Sequence, residues 1–207
     1  MISFKFCALS YLNNWKKYDR DFCERLKSSD FRKRQEVVID VAKNYKISRN
    51  FKKESPDSGS RLVSVVKALD SISPSLVNND NYVSQVEMLT SEIARVYGQR
   101  NLSAASKLLW IKCRSPIIIF DSRALRALKK EFKKKSKPGC YASYCAAWLS
   151  AYAEKRNEIV AAASKLESVI EFSFESNGNV SVIRSLAQEE WFLHRIFNHY
   201  LWHLGGS

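Results

Sequence analysis

Apolar residues recur at three- and four-residue steps along most of the chain. The clearest runs are Val37, Val38 and Val41, then Leu62, Val65, Val66 and Leu69, then Val83, Val86, Leu89, Ile93 and Val96. This spacing places the apolar side chains on one face of an α-helix. The pattern therefore predicts an all-α fold, with breaks at 49–60, 71–82, 135–139 and 175–179, where residues that favour turns are dense.

Between these breaks we expect helices near residues 13–28, 30–47, 60–71, 82–98, 102–112, 121–135, 140–154, 157–173 and 187–203. They are expected to form one helical unit over 1–207, with two lobes near 1–80 and 81–207 as the alternative. The segment 169–183 is open to a second interpretation, because Val169 to Phe174 alternates in polarity and Asn177-Gly178 is a hairpin signal. A minor β-hairpin is the alternative there.

The segment 103–128 joins a short helix, an apolar bend and an Asp that opens a basic helix. Asp121 follows four apolar residues, Ile117 to Phe120, and stands where a helix must begin. Its carboxylate can therefore accept hydrogen bonds from backbone N–H groups as a helix cap, while the apolar neighbours draw it towards low dielectric. Two roles follow: a rigidly held catalytic carboxylate, or a cap with a structural role alone.

Charge indicates the class of partner. The 207 residues contain 34 Lys and Arg against 21 Asp and Glu, a net charge of +13, so nucleic acid is the expected partner. Residues 121–137 hold eight of these cations against two carboxylates. On a helical wheel Arg126, Lys130, Lys133 and Lys137 form one stripe, along which a phosphate backbone can lie. A solvated charged face is the alternative. The DNA-binding candidates here are Arg123, Arg126, Lys129, Lys130, Lys133, Lys134 and Lys137.

Several other classes of protein lack support. The five cysteines are odd in number and form no Cys-x-x-Cys pair, which argues against a disulfide framework and a zinc knuckle and favours the cytoplasm. The longest uncharged run, Pro138 to Ala153, is shorter than a membrane span of roughly 20 residues, so no membrane partner is expected. His194, His199 and His203 lack the spacing of a zinc protease, and no Gly-rich phosphate loop occurs, so neither a metal nor another cofactor is expected.

The segment ending at Asp121 is similar to the catalytic segment of the helix-hairpin-helix DNA glycosylases, in particular the 8-oxoguanine DNA glycosylase group. Ala105-Ser106 and Ile118-Ile119-Phe120-Asp121 match that group. A gapless alignment places Ser103 at the position of the family's nucleophilic Lys, and Lys107 lies one helical turn further on. Of the family's hairpin glycines only Gly98 is present. Arg100 and Asn101 lie in the segment that corresponds to the DNA-binding hairpin and are further DNA-binding candidates.

A second similarity lies near the carboxyl end. Ile196 to Trp202 resembles the Leu-Asp-Leu-x-x-Trp ending of the same group, with Asn198 where an Asp stands. Trp110 and Trp202 are candidate stacking surfaces for a flipped base, although a tryptophan at helical spacing among aliphatic residues is also typical of a core.

The resemblance implies a helical fold with a cleft that receives a base flipped out of duplex DNA. Asp121 would stabilise the positive charge that develops on the deoxyribose, and Lys107 would be the lyase nucleophile. Without Lys107, Asp121 and water would give a glycosylase that leaves the strand intact. Two other readings stay open: a catalytically silent nucleic-acid-binding relative, and a helical partner protein of a toxin–antitoxin or phage-defence system.

Overall fold

The computed structural model describes residues 2–48, 51, 62–174 and 180–206. Within this part of the chain the structure contains α-helices and short turns of π- and 3₁₀-helix but no strand, which confirms the all-α prediction. In chain order the α-helices are α1 (Phe4–Asn14), α2 (Arg20–Arg25), α3 (Phe31–Asn44), α4 (Val63–Asp70), α5 (Tyr82–Tyr97), α6 (Leu102–Cys113), α7 (Ser122–Lys130), α8 (Tyr141–Ala163), α9 (Val180–Gln188) and α10 (Glu190–Leu204). A π-helical turn covers Trp15–Asp19, and 3₁₀ turns cover Pro74–Leu76 and Leu166–Phe172.

The chain divides into two compact units. Unit 1 consists of residues 1–20 and 121–207, and unit 2 of residues 21–120. These bounds differ from those of the alternative with two lobes divided near residue 80, since α1 packs against α8 and α10 from the other end of the chain. Long-range packing of this kind leaves no local signal in the sequence.

Unit 1 is built around α10, which packs against α1, α7, α8 and α9. Its core is aromatic: Trp148 and Phe197 are fully buried, with ring centroids 5.1 Å apart. A charged pair is also buried there. A carboxylate oxygen of Asp19 accepts a hydrogen bond from the Tyr11 hydroxyl at 3.4 Å and lies 3.6 Å from the Arg195 guanidinium. Pairing of this kind offsets the cost of burying both charges.

Unit 2 packs α6 against α3, α4 and α5. Nine of the twelve residues of α6 are buried, so this helix meets protein on nearly all sides. Apolar residues that the sequence places at three- and four-residue steps in α3, α4 and α5 contribute to the surrounding core. Val38, Val66 and Leu89 are each at most 1 % exposed.

Two helices are longer than predicted. Residues 4–12 are helical, although the sequence predicts a helix only from about residue 13. Lys5 interrupts the apolar residues near the amino terminus, but its side chain is exposed and does not disturb the buried side of α1. The break expected between residues 154 and 157 is absent, and α8 is continuous. Its charged residues lie on the exposed side, while Trp148, Tyr152 and Ile159 continue the buried stripe.

The β-hairpin alternative is wrong for the residues that the structure describes on either side of the expected turn. Residues Leu166–Phe172 form a 3₁₀ turn and Val180–Gln188 an α-helix. The hairpin signal Asn177-Gly178 and the breaks expected at 175–179 and across most of 49–60 lie outside the described residues.

Candidate functional site

Asp121 is the N-cap of α7, as predicted. Its backbone is extended, with φ −141° and ψ 136°, and its Oδ1 accepts the backbone N–H of Arg123 at 2.9 Å. The carboxylate is half-buried. The pKa of the fully buried Tyr144 is raised by burial and further by the charge of Asp121. The capping bond thus fixes this carboxylate at the start of α7.

The apolar bend before Asp121 is anchored to α6. Ile117, Ile118 and Ile119 are each at most 3 % exposed. The backbone N–H of Phe120, the residue immediately before Asp121, donates to Oγ of the fully buried Ser106 at 2.9 Å. Sequence reasoning assigned Ser106 no role, although it belongs to the Ala105-Ser106 pair that carries the glycosylase resemblance.

Lys107 projects from α6 in unit 2 and is only 8 % exposed. Its Nζ donates to Oγ of Ser103 at 2.9 Å and lies 5.8 Å from the centroid of the Tyr45 ring. An aromatic face attracts an ammonium group, so both neighbours suit a charged amine. The amine therefore reaches the side chain that stands at the family's nucleophile position.

The helical hairpin between α5 and α6 has a four-residue connection. Gly98 ends α5 in the left-handed region at φ 69°, which a glycine adopts without strain. Asn101 is 9 % exposed, and its side chain caps α6 by accepting the N–H of Ala104 at 3.0 Å. Arg100 pairs with Glu87 on α5. Both DNA-binding candidates of this hairpin thus have structural partners within unit 2.

The predicted basic stripe is wrong beyond residue 130, because α7 ends there. Lys133 has a positive φ of 55° and its amine donates to the carbonyl of Lys130 at 2.7 Å, closing the helix end. Lys134 pairs with Glu154 at 2.6 Å. A helical row through Lys137 therefore does not exist.

We call residues 123–137 the basic segment. Its exposed cations are Arg126, Lys129, Lys130, Lys133, Lys135 and Lys137. Among the residues that the structure describes, Arg126, Lys129, Lys135 and Lys137 make no ion pair within 4.0 Å. The charge is thus available on the surface of unit 1, on a short helix and the irregular chain that follows it.

The two tryptophan candidates differ. Trp110 is 1 % exposed in the core of unit 2, so it offers no face to a base and fits the core alternative rather than the predicted stacking surface. Trp202 is 43 % exposed, and the Arg123 guanidinium lies 4.3 Å from its ring centroid. A Cβ at Gly205 would lie 1.9 Å from the Arg123 carbonyl oxygen, so only glycine permits this close approach of the two helix ends.

The carboxyl-terminal polar residues have structural partners. Asn198, which replaces the family's Asp, accepts the indole N–H of Trp148 at 2.9 Å. Burial lowers the pKa of His199 to about 3, helped by the nearby charges of Arg195 and His203. In the described part of the chain, no group of three or more His, Cys, Asp or Glu side chains is arranged to hold a metal ion.

No helix in the described ranges is both long and apolar enough to cross a membrane. Comparison of the chain with protein-family models, with curated proteins and with solved structures found no match.

Proposed function

We propose that this protein binds duplex DNA and excises a modified base, with Lys107 as nucleophile and Asp121 as the carboxylate that stabilises the developing positive charge. The observation that carries the proposal is the hydrogen bond from the Lys107 amine to Ser103 Oγ. It brings an amine to the position where the glycosylase resemblance requires one, although the sequence has a serine there.

The chemistry assigned to Lys107 is attack on the deoxyribose. The neutral amine forms a bond to C1′ while the glycosidic bond breaks and the base leaves with its electron pair, taking up a proton. The attached nitrogen then loses a proton, and its lone pair forms a C=N bond to C1′ while the bond from C1′ to O4′ breaks. O4′ takes up a proton, which leaves an open sugar joined to Lys107 as a protonated Schiff base. The amine attacks in its neutral form, so Lys107 needs to lose its proton first.

The role assigned to Asp121 is electrostatic. Cleavage of a glycosidic bond places positive charge on the sugar, and a fixed carboxylate in a half-buried position stabilises that charge more than a solvated one does. The capping bond to Arg123 holds Asp121 in place without any reorganisation during the reaction.

Two surface features of unit 1 support DNA as the ligand. The exposed cations of the basic segment can neutralise phosphates, which gives affinity that falls as salt rises. The exposed Trp202, with Arg123 against its ring, offers a flat surface on which a flipped base can stack.

The test uses end-labelled duplexes that each carry one modified base, 8-oxoguanine among them, incubated with the protein and borohydride. Wild type is expected to release the base and to form a covalent adduct, because borohydride reduces a Schiff base to a stable amine. Lys107→Gln is expected to lose the adduct. Lys43→Gln, at an exposed lysine of α3, is the matched control and should form the adduct as wild type does.

A second function, DNA binding without excision, is favoured by one observation: Lys107 is only 8 % exposed, which leaves a sugar little access to its amine. The same experiment separates the two. Excision with no adduct indicates a water-using glycosylase, whereas salt-dependent binding with no excision of any modified base refutes the catalytic proposal and leaves the binding one.

A further inference from the structure

Unit 2 contains a cavity of about 280 Å³ that the proposed function does not use. It lies where the turn after α2, the start of α3 and the ends of α4 and α6 come together. The side chains that decide its chemistry are Leu26, Lys27, Arg34, Asp70, Pro74 and Lys112. A volume of this size holds several water molecules or one small organic molecule.

Arg34 is held rigidly at the cavity wall. Its Nη1 donates to the carbonyl oxygens of Ser28 and Ser29 at 2.7 and 2.8 Å. Its Nη2 donates to the Asp70 carboxylate at 2.9 Å; the side chain of Arg34 is 17 % exposed and that of Asp70 33 %. These bonds use both protons of Nη1 and one of the two on Nη2, so one Nη2 proton is not used by them.

Lys112 brings a second cation from the last turn of α6. Its amine donates to the carbonyl oxygen of Leu69, which leaves two further N–H groups on this nitrogen. Burial lowers the pKa of Lys112, partly offset by the charge of Asp70, while Arg34 lowers it further. Two cations therefore share a small volume in which one carboxylate is their counter-charge, and an added anion would relieve this imbalance.

We propose that this cavity binds a phosphate monoester, with the phosphate group between Lys112 and Arg34. The two N–H groups of Lys112 and the one of Arg34 match the three terminal oxygens of a phosphate, and charge-assisted bonds of this kind are strong. Leu26 and Pro74 provide apolar surface for the carbon skeleton of the ester. Lys27 contributes less, because it pairs with Glu24 at 3.0 Å and both side chains are exposed.

The phosphate monoester can come from two sources, a small metabolite or the 5′-phosphorylated end of a nucleic acid strand. Both present the same dianionic group, and the cavity residues contact only that group and its first carbons. Calorimetric titration with glycerol 3-phosphate tests the shared chemistry. Competition by a short single strand with a 5′-phosphate, compared with the same strand ending in a 5′-hydroxyl, identifies the source.

Glycerol 3-phosphate is expected to bind saturably in low salt, with a dissociation constant below about 10 mM. Lys112→Gln should weaken it by about tenfold or more, because the amide keeps a donor for Leu69 but loses the charge. Lys67→Gln, at an exposed lysine of α4, is the matched control and should bind as wild type does. Thermal melting checks that Lys112→Gln is folded, and Lys112→Arg, which keeps a charge, is expected to retain part of the affinity.

The proposal is overturned if glycerol 3-phosphate does not saturate the protein, if folded Lys112→Gln binds as tightly as wild type, or if glycerate, which carries a carboxylate instead of the phosphate, binds equally well. The proposal of a phosphate site does not depend on the proposed base excision. Lys112→Gln is expected to leave excision unchanged, and Asp121→Asn to leave binding of glycerol 3-phosphate unchanged, so either idea can fail alone.

Discussion

Helices α6 and α7 lie close in the sequence but differ in what surrounds them. Nine of the twelve residues of α6 are buried, including Ser106 and the amine-bearing Lys107. In α7 only Ala124, Ala127 and Leu128 are buried, and the opposite side carries exposed cations. The first helix is defined by contacts on nearly every side, the second by contacts on one side only.

This difference separates fold from function. Apart from Lys107, the proposed nucleophile, the residues of α6 contribute packing or buried hydrogen bonds, so substitutions there act on stability before they act on anything else. The exposed side of α7 has few structural contacts to lose, so substitutions there act on binding or chemistry. The following predictions test this contrast, beginning with the largest effect.

Trp110→Ala should lower the free energy of unfolding by about 3–5 kcal/mol, because it leaves a large cavity in the core around α6. Trp202→Ala on the surface of unit 1 should cost less than about 2 kcal/mol, mainly the contact with Arg123, while it reduces excision. Denaturant titration of both variants measures the difference. Equal losses of stability would contradict the contrast between a buried and an exposed tryptophan.

Asp121→Asn should reduce excision by about 10²–10³-fold, because the developing positive charge loses its counter-charge. Its stability should change little, since Asn caps a helix about as well as Asp does. Single-turnover excision and thermal melting provide the two readouts.

Asp30→Asn is the matched control for this substitution. Asp30 caps α3 by accepting the N–H of Arg32 at 2.8 Å, so it tests the change of cap alone. If Asp121→Asn unfolds the protein while the remaining folded fraction excises normally, Asp121 has only a structural role.

Ser106→Ala should cost about 1–3 kcal/mol, because the buried N–H of Phe120 loses its acceptor. Ser122→Ala, at an exposed position in the first turn of α7, should stay within about 0.5 kcal/mol of wild type. Chemical denaturation of the pair checks the difference. A neutral Ser106→Ala would mean that the bend before Asp121 does not depend on this bond.

Lys130→Glu combined with Lys133→Glu should weaken DNA binding by about tenfold or more, equally for all sequences, and flatten its salt dependence. The double variant Lys43→Glu with Lys67→Glu makes the same change of charge at exposed lysines of unit 2 and should have a smaller effect. Titrations at several salt concentrations measure both. If the double variant Lys130→Glu with Lys133→Glu binds DNA as tightly as wild type, the basic segment does not contact DNA.

The sequence predicts best what local chemistry decides. Helices α5 and α6 begin and end within about one residue of their predicted limits, because Gly98 and Asn101 mark the end of one and the start of the other. The capping role of Asp121 was predicted for the same reason: a short polar side chain after an apolar run accepts the next free N–H groups.

What the sequence did not predict depends on distant contacts. The pairing of Asp19 with Arg195 joins residues near opposite ends of the chain, and no local pattern marks either as buried. The end of α7 depends on Lys133 and on the pair of Lys134 with Glu154, whereas the lysine-rich sequence is itself compatible with a longer helix. The burial of Trp110, by contrast, agrees with the core alternative that its helical spacing among aliphatic residues indicates.

The partly buried imidazole of His199 has a consequence for measurements of excision at acidic pH. Its pKa is lowered from 6.5 to about 3 in the folded protein, so the unfolded chain binds a proton more readily. The stability contributed by neutral His199 is therefore present above pH 6.5 and is lost as the pH falls through the interval down to about 3. A fall in excision across this interval therefore includes a contribution from unfolding, and the folded fraction needs to be measured at each pH before the rate is attributed to the active site.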